Sequence, residues 1–199
     1  MYENEYNMFK IAVCGELKSG KTSLCLNLTE KYNVIDPYHY TSTIGIDIMV
    51  LKIHSKTKLV FYDYAGDIRF NIITDSYTRH CSMIIYVYNT ENPSTLDRIK
   101  KLRTIHENTL DIDNYKFLII GTRKESYNRK CVEEGFEFAE SIGVKHIEVS
   151  NLNRSGISEV LEFLRNEFKE PEEVQKVYYS DKLTYIDKIS RQRISCCIL

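Results

Sequence analysis

No apolar run in this sequence approaches the ~20 residues that a helix needs to cross a bilayer. A surplus of charge of one sign is also missing. Against 27 basic side chains stand 28 acidic ones, a formal net charge of −1, which argues against nucleic-acid binding through a globally basic face. Proline and glycine are scarce, three and eight respectively, so a collagen-like chain is excluded; with 43% hydrophobic residues, so is wholesale disorder. The opening Met1-Tyr2-Glu3-Asn4-Glu5-Tyr6 has none of the apolar character of a signal peptide. Synthesis and retention in the cytosol are expected. Six cysteines are present, but no C-x-x-C pair and no partner histidines. Cys14, Cys25, Cys81 and Cys131 therefore read as buried thiols that behave as small hydrophobes.

What is present is a chain of 199 residues, long enough for one domain with a proper core, or for one domain and a tail. Met8–Gly15 is a short apolar run ending in glycine, the look of a buried strand. Gly20–Tyr32 reads as a helix that opens inside a glycine-framed loop. Ile46–His54 and Leu59–Asp63 are β-rich runs around the polar turn Ser55–Lys58, a hairpin. Ser82–Tyr88 and Tyr115–Gly121 are wholly apolar, as central parallel strands should be. Pro93–His106 carries Leu96, Ile99, Leu102 and Ile105 at helical spacing behind an early proline. Further helices are expected at Arg129–Ile142, closed by Gly143, and at Ser155–Lys169, with a sixth strand between them at Val144–Val149. Strands alternating with helices imply an α/β fold covered on both faces, with ligand at the carboxyl ends of the strands. Residues 1–169 are expected to form that domain and 170–199, which lack a sustained apolar stripe, a flexible tail. No internal repeat is present.

Gly15-Glu16-Leu17-Lys18-Ser19-Gly20-Lys21-Thr22-Ser23 contains G-x-x-x-x-G-K-[ST] between an apolar strand and a helix. That context makes it a phosphate loop. The glycines let successive N–H groups turn inward, the helix adds its positive end, Lys21 reaches the outer phosphates, and the Thr22 hydroxyl suits Mg²⁺.

From Phe9 to about Phe168 the chain resembles the Ras-superfamily small GTPases, Rab proteins in particular. Thr43-Ile44-Gly45-Ile46-Asp47 is similar to the Rab switch I motif, and Asp63-Tyr64-Ala65-Gly66 to the D-T-A-G of switch II, continued by Arg69-Phe70 and Ser76-Tyr77. The resemblance implies a P-loop NTPase fold: a six-stranded, mostly parallel sheet with helices on both faces and one antiparallel edge hairpin. It implies GTP and GDP as ligands and Mg²⁺ held by Thr22, Thr43 and Asp63. Lys21, Thr43, Gly66 and the residue at Asp67 then serve the γ-phosphate and its hydrolysis. The base would be met by Thr122, Arg123 and Glu125 in place of N-K-x-D, and by Ser150, Asn151 and Leu152 in place of S-A-K. Ile44, Ile48, Tyr62 and Tyr77 fall on the effector surface, and Tyr32 and Tyr38 both stand where an aromatic would edge the base.

Several residues depart from the family. Asp67 replaces the glutamine that orients the attacking water; its charge opposes the anionic γ-phosphate, so slow hydrolysis is expected. Harmless drift rescued by an activating protein is the competing reading. Leu17 occupies a loop position that is small in most relatives, where bulk would crowd an incoming catalytic finger. Glu125 places the fork that reads guanine one methylene further out, and losing one charged base contact costs ~2–3 kcal/mol. Leu152 cannot replace the lysine of S-A-K.

The sequence closes with Cys196-Cys197-Ile198-Leu199, preceded by Lys188, Arg191 and Arg193. Two readings stand: a C-a-a-X box on Cys196 with a leucine that favours geranylgeranyl, or a double cysteine modified on both thiols. Basic neighbours would strengthen adhesion to an anionic leaflet. Together these readings lead to a monomeric, prenylated Rab-like switch in vesicle traffic. It would sit on the cytoplasmic face of intracellular membranes, with a cytosolic pool. Effectors, exchange factors, GTPase-activating proteins and a prenyl chaperone would be its partners. A pseudo-GTPase scaffold with weak guanine preference is the alternative, and a small-molecule P-loop kinase a distant third.

Overall fold

The computed structural model describes residues 6–31, 42–67, 76–123 and 128–170. Its strands are β1 (Asn7–Cys14), β2 (Ile46–His54), β3 (Thr57–Tyr64), β4 (Met83–Asn89), β5 (Lys116–Thr122) and β6 (Lys145–Glu148). Its α-helices are α1 (Lys21–Leu28), α2 (Pro93–Thr109), α3 (Arg129–Ser141) and α4 (Ile157–Glu167), with a 3₁₀ turn at Ile112–Asn114. The strand order is β2-β3-β1-β4-β5-β6. Only β2 runs antiparallel to its neighbour; β3, β1, β4, β5 and β6 pair in parallel. This is the six-stranded, mostly parallel sheet expected, with its antiparallel hairpin at one edge.

Period-two alternation sends successive side chains to opposite faces, and each face has its own core. On one, Ile11, Val13, Leu59, Phe61, Ile85 and Val87 pack with Leu24 and Leu28 of α1 and Val160 and Leu164 of α4. On the other, Tyr62, Tyr64, Ile84, Tyr86 and Tyr88 meet Leu96 and Ile99 of α2 and Cys131 and Ala139 of α3. The second face is threaded by hydroxyls: Tyr86 OH lies 2.7 Å from His106 Nδ1, Tyr88 OH 3.0 Å from His146 Nε2, and Thr78 Oγ1 donates to Tyr64 OH at 3.2 Å. Burial pushes both His106 and His146 down to about 4, so each serves as a neutral partner. Cys14, Cys25, Cys81 and Cys131 are buried thiols outside any disulfide, as expected.

Element boundaries move in several places. The hairpin turn is Ser55-Lys56 alone, because Thr57 is wholly buried and opens β3 opposite His54. Lys58 thereby faces Lys52 across the hairpin, a like-charge pair; the Tyr6 ring lies 3.6 Å from Lys58 Nζ and 5.6 Å from Lys52 Nζ, which offsets the repulsion. Helix α1 stops at Leu28, sooner than expected, since the Thr29 hydroxyl donates back to Cys25 O at 2.8 Å and Glu30 turns left-handed. Helix α2 runs on to Thr109, where Asn108 and Thr109 bond back to Thr104 O and Ile105 O, each at 2.8 Å. The expected polar tail from 171 onward lies outside the described residues.

Candidate nucleotide and magnesium site

The phosphate loop leaves β1 at Cys14 and enters α1 at Lys21, at the carboxyl edge of the sheet. Gly15 is required by contact: a Cβ there would stand 2.2 Å from Val87 O of β4. Lys18 and Gly20 turn left-handed, with φ of 61° and 91°, and curl the loop around its own N–H groups. Lys21 is buried, and its Nζ donates to Glu16 O at 2.8 Å across the loop. Burial lowers its pKa against the raising pull of Asp63. A buried ammonium framed by a loop of this curvature fits an anionic ligand. Ser19 adds to that fit: its Oγ is buried without a hydrogen-bond partner among the described residues.

Three oxygens from separate segments converge beside Lys21. The Thr22 hydroxyl, in the first turn of α1, donates to Asp63 Oδ2 at 2.6 Å and lies 2.9 Å from Thr43 Oγ1. Thr43, just before β2, donates to the same carboxylate oxygen at 3.4 Å. Asp63 is wholly buried near the end of β3, and its other oxygen, Oδ1, has no partner among the described residues. Desolvation pushes this carboxyl up to about 6 in spite of the two threonine bonds. Two hydroxyls and a carboxylate with an orphaned buried oxygen are the hard donors that Mg²⁺ prefers. A soft-metal site is not built: among the described residues no three His, Cys, Asp or Glu side chains cluster.

Gly66 stands against this loop. A Cβ on it would fall 2.5 Å from Leu17 N and 2.6 Å from Glu16 C. Its backbone therefore sits where only glycine fits, next to Leu17. Asp67 follows, partly exposed, beyond the last residue held by sheet pairing.

The base-side residues come from β5 and the β6–α4 loop. The Thr122 hydroxyl donates to Ser19 O at 2.7 Å and lies 3.1 Å from Tyr88 O, so β5 grips the phosphate loop directly. Arg123 is left-handed at φ 68°, and its Nε is 3.7 Å from Glu91 Oε2. Ser150 is buried, and its hydroxyl accepts from Asn153 N at 3.2 Å. Asn151 Nδ2 donates to Gly20 O at 3.2 Å. Leu152 is 52% exposed. Glu125, Tyr32, Tyr38, Arg69, Phe70, Cys196 and Cys197 lie outside the described residues.

The four residues expected on an effector surface differ in exposure. Ile44, Ile48 and Tyr77 are exposed, at 84%, 54% and 47%, but Tyr62 is only 8% exposed. Its ring is covered by Tyr77, with centroids 5.9 Å apart, so Tyr62 supports that surface from below rather than presenting itself. Two side chains that contact the candidate site are not legible from motifs. Glu91 pairs with Arg123, and Asn27, wholly buried in α1, donates to Ser23 O at 3.0 Å and Asn151 O at 3.1 Å. A buried amide among Leu24, Leu26 and Leu28 was the one available signal for Asn27.

A family model described as "Ras family" matches residues 10–170. Ras-related protein RabC of Dictyostelium discoideum is 28% identical over 198 residues, covering 96% of this chain and 97% of that protein. The match spans the phosphate loop, both switch segments and the base-side loops just described. The chain belongs to the Ras family, as a Rab-like small GTPase.

Proposed function

We propose that the protein is a GTP-operated switch in vesicle traffic, made of a nucleotide-binding domain at 1–169 and an anchoring tail at 170–199. Geranylgeranyl on Cys196, or on Cys196 and Cys197, would hold it on the cytoplasmic face of internal membranes, with a cytosolic pool. The observation that carries the reading is the meeting of Thr22, Thr43 and Asp63. One donor comes from the phosphate loop, one from switch I and one from the strand that leads into switch II. A ligand set shared by three segments gives bound nucleotide a way to bias the switches between ordered and released states. When bound, Mg²⁺ would be held by Thr22, Thr43 and Asp63 and would neutralise phosphate charge; Lys21 and the loop N–H groups would hold the same charge from the protein side.

Asp67 supports slow intrinsic hydrolysis. An ionised carboxylate can accept a hydrogen bond from the attacking water but cannot donate one to the γ-phosphate. Effector, exchange and activating proteins would read the face formed by Ile44, Ile48 and Tyr77. The pseudo-GTPase reading draws on the base side, where Arg123 is engaged by Glu91 and Leu152 brings no charge. To test the proposal, purified protein is denatured and its released nucleotide identified by chromatography. Near-stoichiometric GDP or GTP is expected. Protein that carries no guanine nucleotide, and takes up none in Mg²⁺, overturns the switch reading.

A further inference from the structure

We infer that the side chain of Asn151 is a positioning residue that ties the base-side loop to the phosphate loop and sets how long nucleotide stays bound. This rests on the guanine-nucleotide reading above.

The tie spans distant parts of the chain. Asn151 Nδ2 reaches Gly20 O across 131 residues of sequence, and Asn27 Nδ2 reaches Asn151 O across 124. Asn27 also donates to Ser23 O, so both of its amide protons are committed, one on each side of the seam. The result is a continuous path from Gly20 through Asn151 and Asn27 back to Ser23 in α1. Gly20 leaves room for it: a Cβ at that position would lie 2.9 Å from Asn151 Nδ2.

Its consequence follows from peptide geometry. In a trans peptide the carbonyl and the following N–H point in opposite directions. A donor that holds the Ser19 carbonyl outward keeps the Gly20 N–H turned the other way, into the loop. A donor on the Gly20 carbonyl does the same for the Lys21 N–H. Thr122 supplies the first donor, at 2.7 Å. The second carbonyl already accepts the Leu24 N–H at 2.9 Å within α1, and Asn151 fills its remaining lone pair. The loop N–H groups that face phosphate are thus braced from the base side. Because Asn151 stands in the loop that meets the base, loosening that loop and loosening the phosphate cradle become one event.

The experiment is release of a fluorescent GDP analogue from the full-length protein in Mg²⁺, chased with excess GDP. Asn151→Ala removes the bond and should speed release about tenfold, the equivalent of ~1.4 kcal/mol. Asn151→Asp keeps the shape but replaces the donor with a carboxylate facing the Gly20 carbonyl. Release from it should be at least as fast as from the alanine variant. A bracing role by packing alone would leave Asn151→Asp at the wild-type rate while Asn151→Ala accelerates. That result overturns the inference, as would wild-type rates for both. Wild-type protein that retains no labelled GDP would instead remove the nucleotide reading itself, and the inference with it.

Discussion

The phosphate end and the base end of the site are built on different terms. At the phosphate end the residue types match the family motifs, and the geometry gathers them: Lys21 within its loop, Thr22, Thr43 and Asp63 within hydrogen-bond reach of one another. At the base end nearly every motif position carries a substitute, and the substitutes bond to the phosphate loop and to two side chains outside the motifs, Asn27 and Glu91. Thr122 holds the loop through one hydroxyl, Asn151 and Asn27 add amide bonds, and Arg123 engages Glu91. The difference follows from the two ligand surfaces. Phosphate and Mg²⁺ would be held by backbone curvature and by a few hard oxygens, which few residue types can supply. A base face is held by packing and by dispersed hydrogen bonds, which several side-chain sets can supply.

That contrast is broken most severely at the phosphate end. Lys21→Ala removes the buried cation, and Thr22→Asn replaces the hydroxyl shared with Asp63 and Thr43. Either should weaken Mg²⁺-dependent binding of labelled GDP by about a hundredfold or more, the worth of a charged contact that nothing nearby replaces. Unchanged affinity in an equilibrium titration would mean that the ligand does not lie in this loop. The base end should respond in the opposite direction. Glu125→Asp shortens the fork by one methylene and should tighten GTP by ~2 kcal/mol, about thirtyfold, while widening the gap between GTP and ATP. If calorimetry finds the parent already nanomolar for GTP and the variant no better, the base end has adapted fully and the contrast disappears.

The same division governs what can be read from sequence. The phosphate loop is legible because its geometry is local: a strand, a curl and a helix, all within a few residues. The central strands are legible too, since runs such as Met83–Tyr88 are apolar on both faces. The start of β3 is not, because Thr57 and Lys58 look like turn residues until burial and the Tyr6 ring are known. Nor is the burial of Tyr62, which depends on a ring that packs on it from the switch II segment. Asn27 and Asn151 are the extreme case. Their meaning lies in a contact across more than half the chain, and no spacing rule reports it.

The sheet face under α2 and α3 offers a third lever. His106 is 3% exposed, bonded to Tyr86 OH and held near pKa 4 by burial and by Arg103. Its unfolded value lies higher, at 6.5. The unfolded chain therefore takes up a proton that the folded one refuses, and stability falls as pH drops from about 6.5 toward 4. Between pH 7 and 5 this one group should remove about 2 kcal/mol. Urea unfolding at the two pH values measures the loss, and His106→Gln, which keeps an acceptor for Tyr86 but does not titrate, should shrink it. An equal loss in the variant would assign the acid sensitivity elsewhere, with His146 the next candidate.

The smallest expected effect falls at the boundary between the two ends, at Asp67, where hydrolysis rather than binding is read. Phosphoryl transfer asks the protein mainly for positioning and charge stabilisation. Gly66 packs its backbone close to Leu17 and Glu16 of the phosphate loop. Asp67 follows it, and its charge adds to a centre already strongly anionic. Asp67→Gln exchanges an acceptor for a side chain that both accepts from water and donates to a phosphate oxygen. One recovered hydrogen bond in the transition state should raise the single-turnover rate about tenfold, or ~1.4 kcal/mol. The measurement belongs on protein fully loaded with GTP and free of any activating protein, because the bulk of Leu17 would obstruct a catalytic finger and mask the gain. Equal rates would show that Asp67 does not limit the reaction. Leu17→Gly, assayed with an activating protein present, would then be the variant expected to move it.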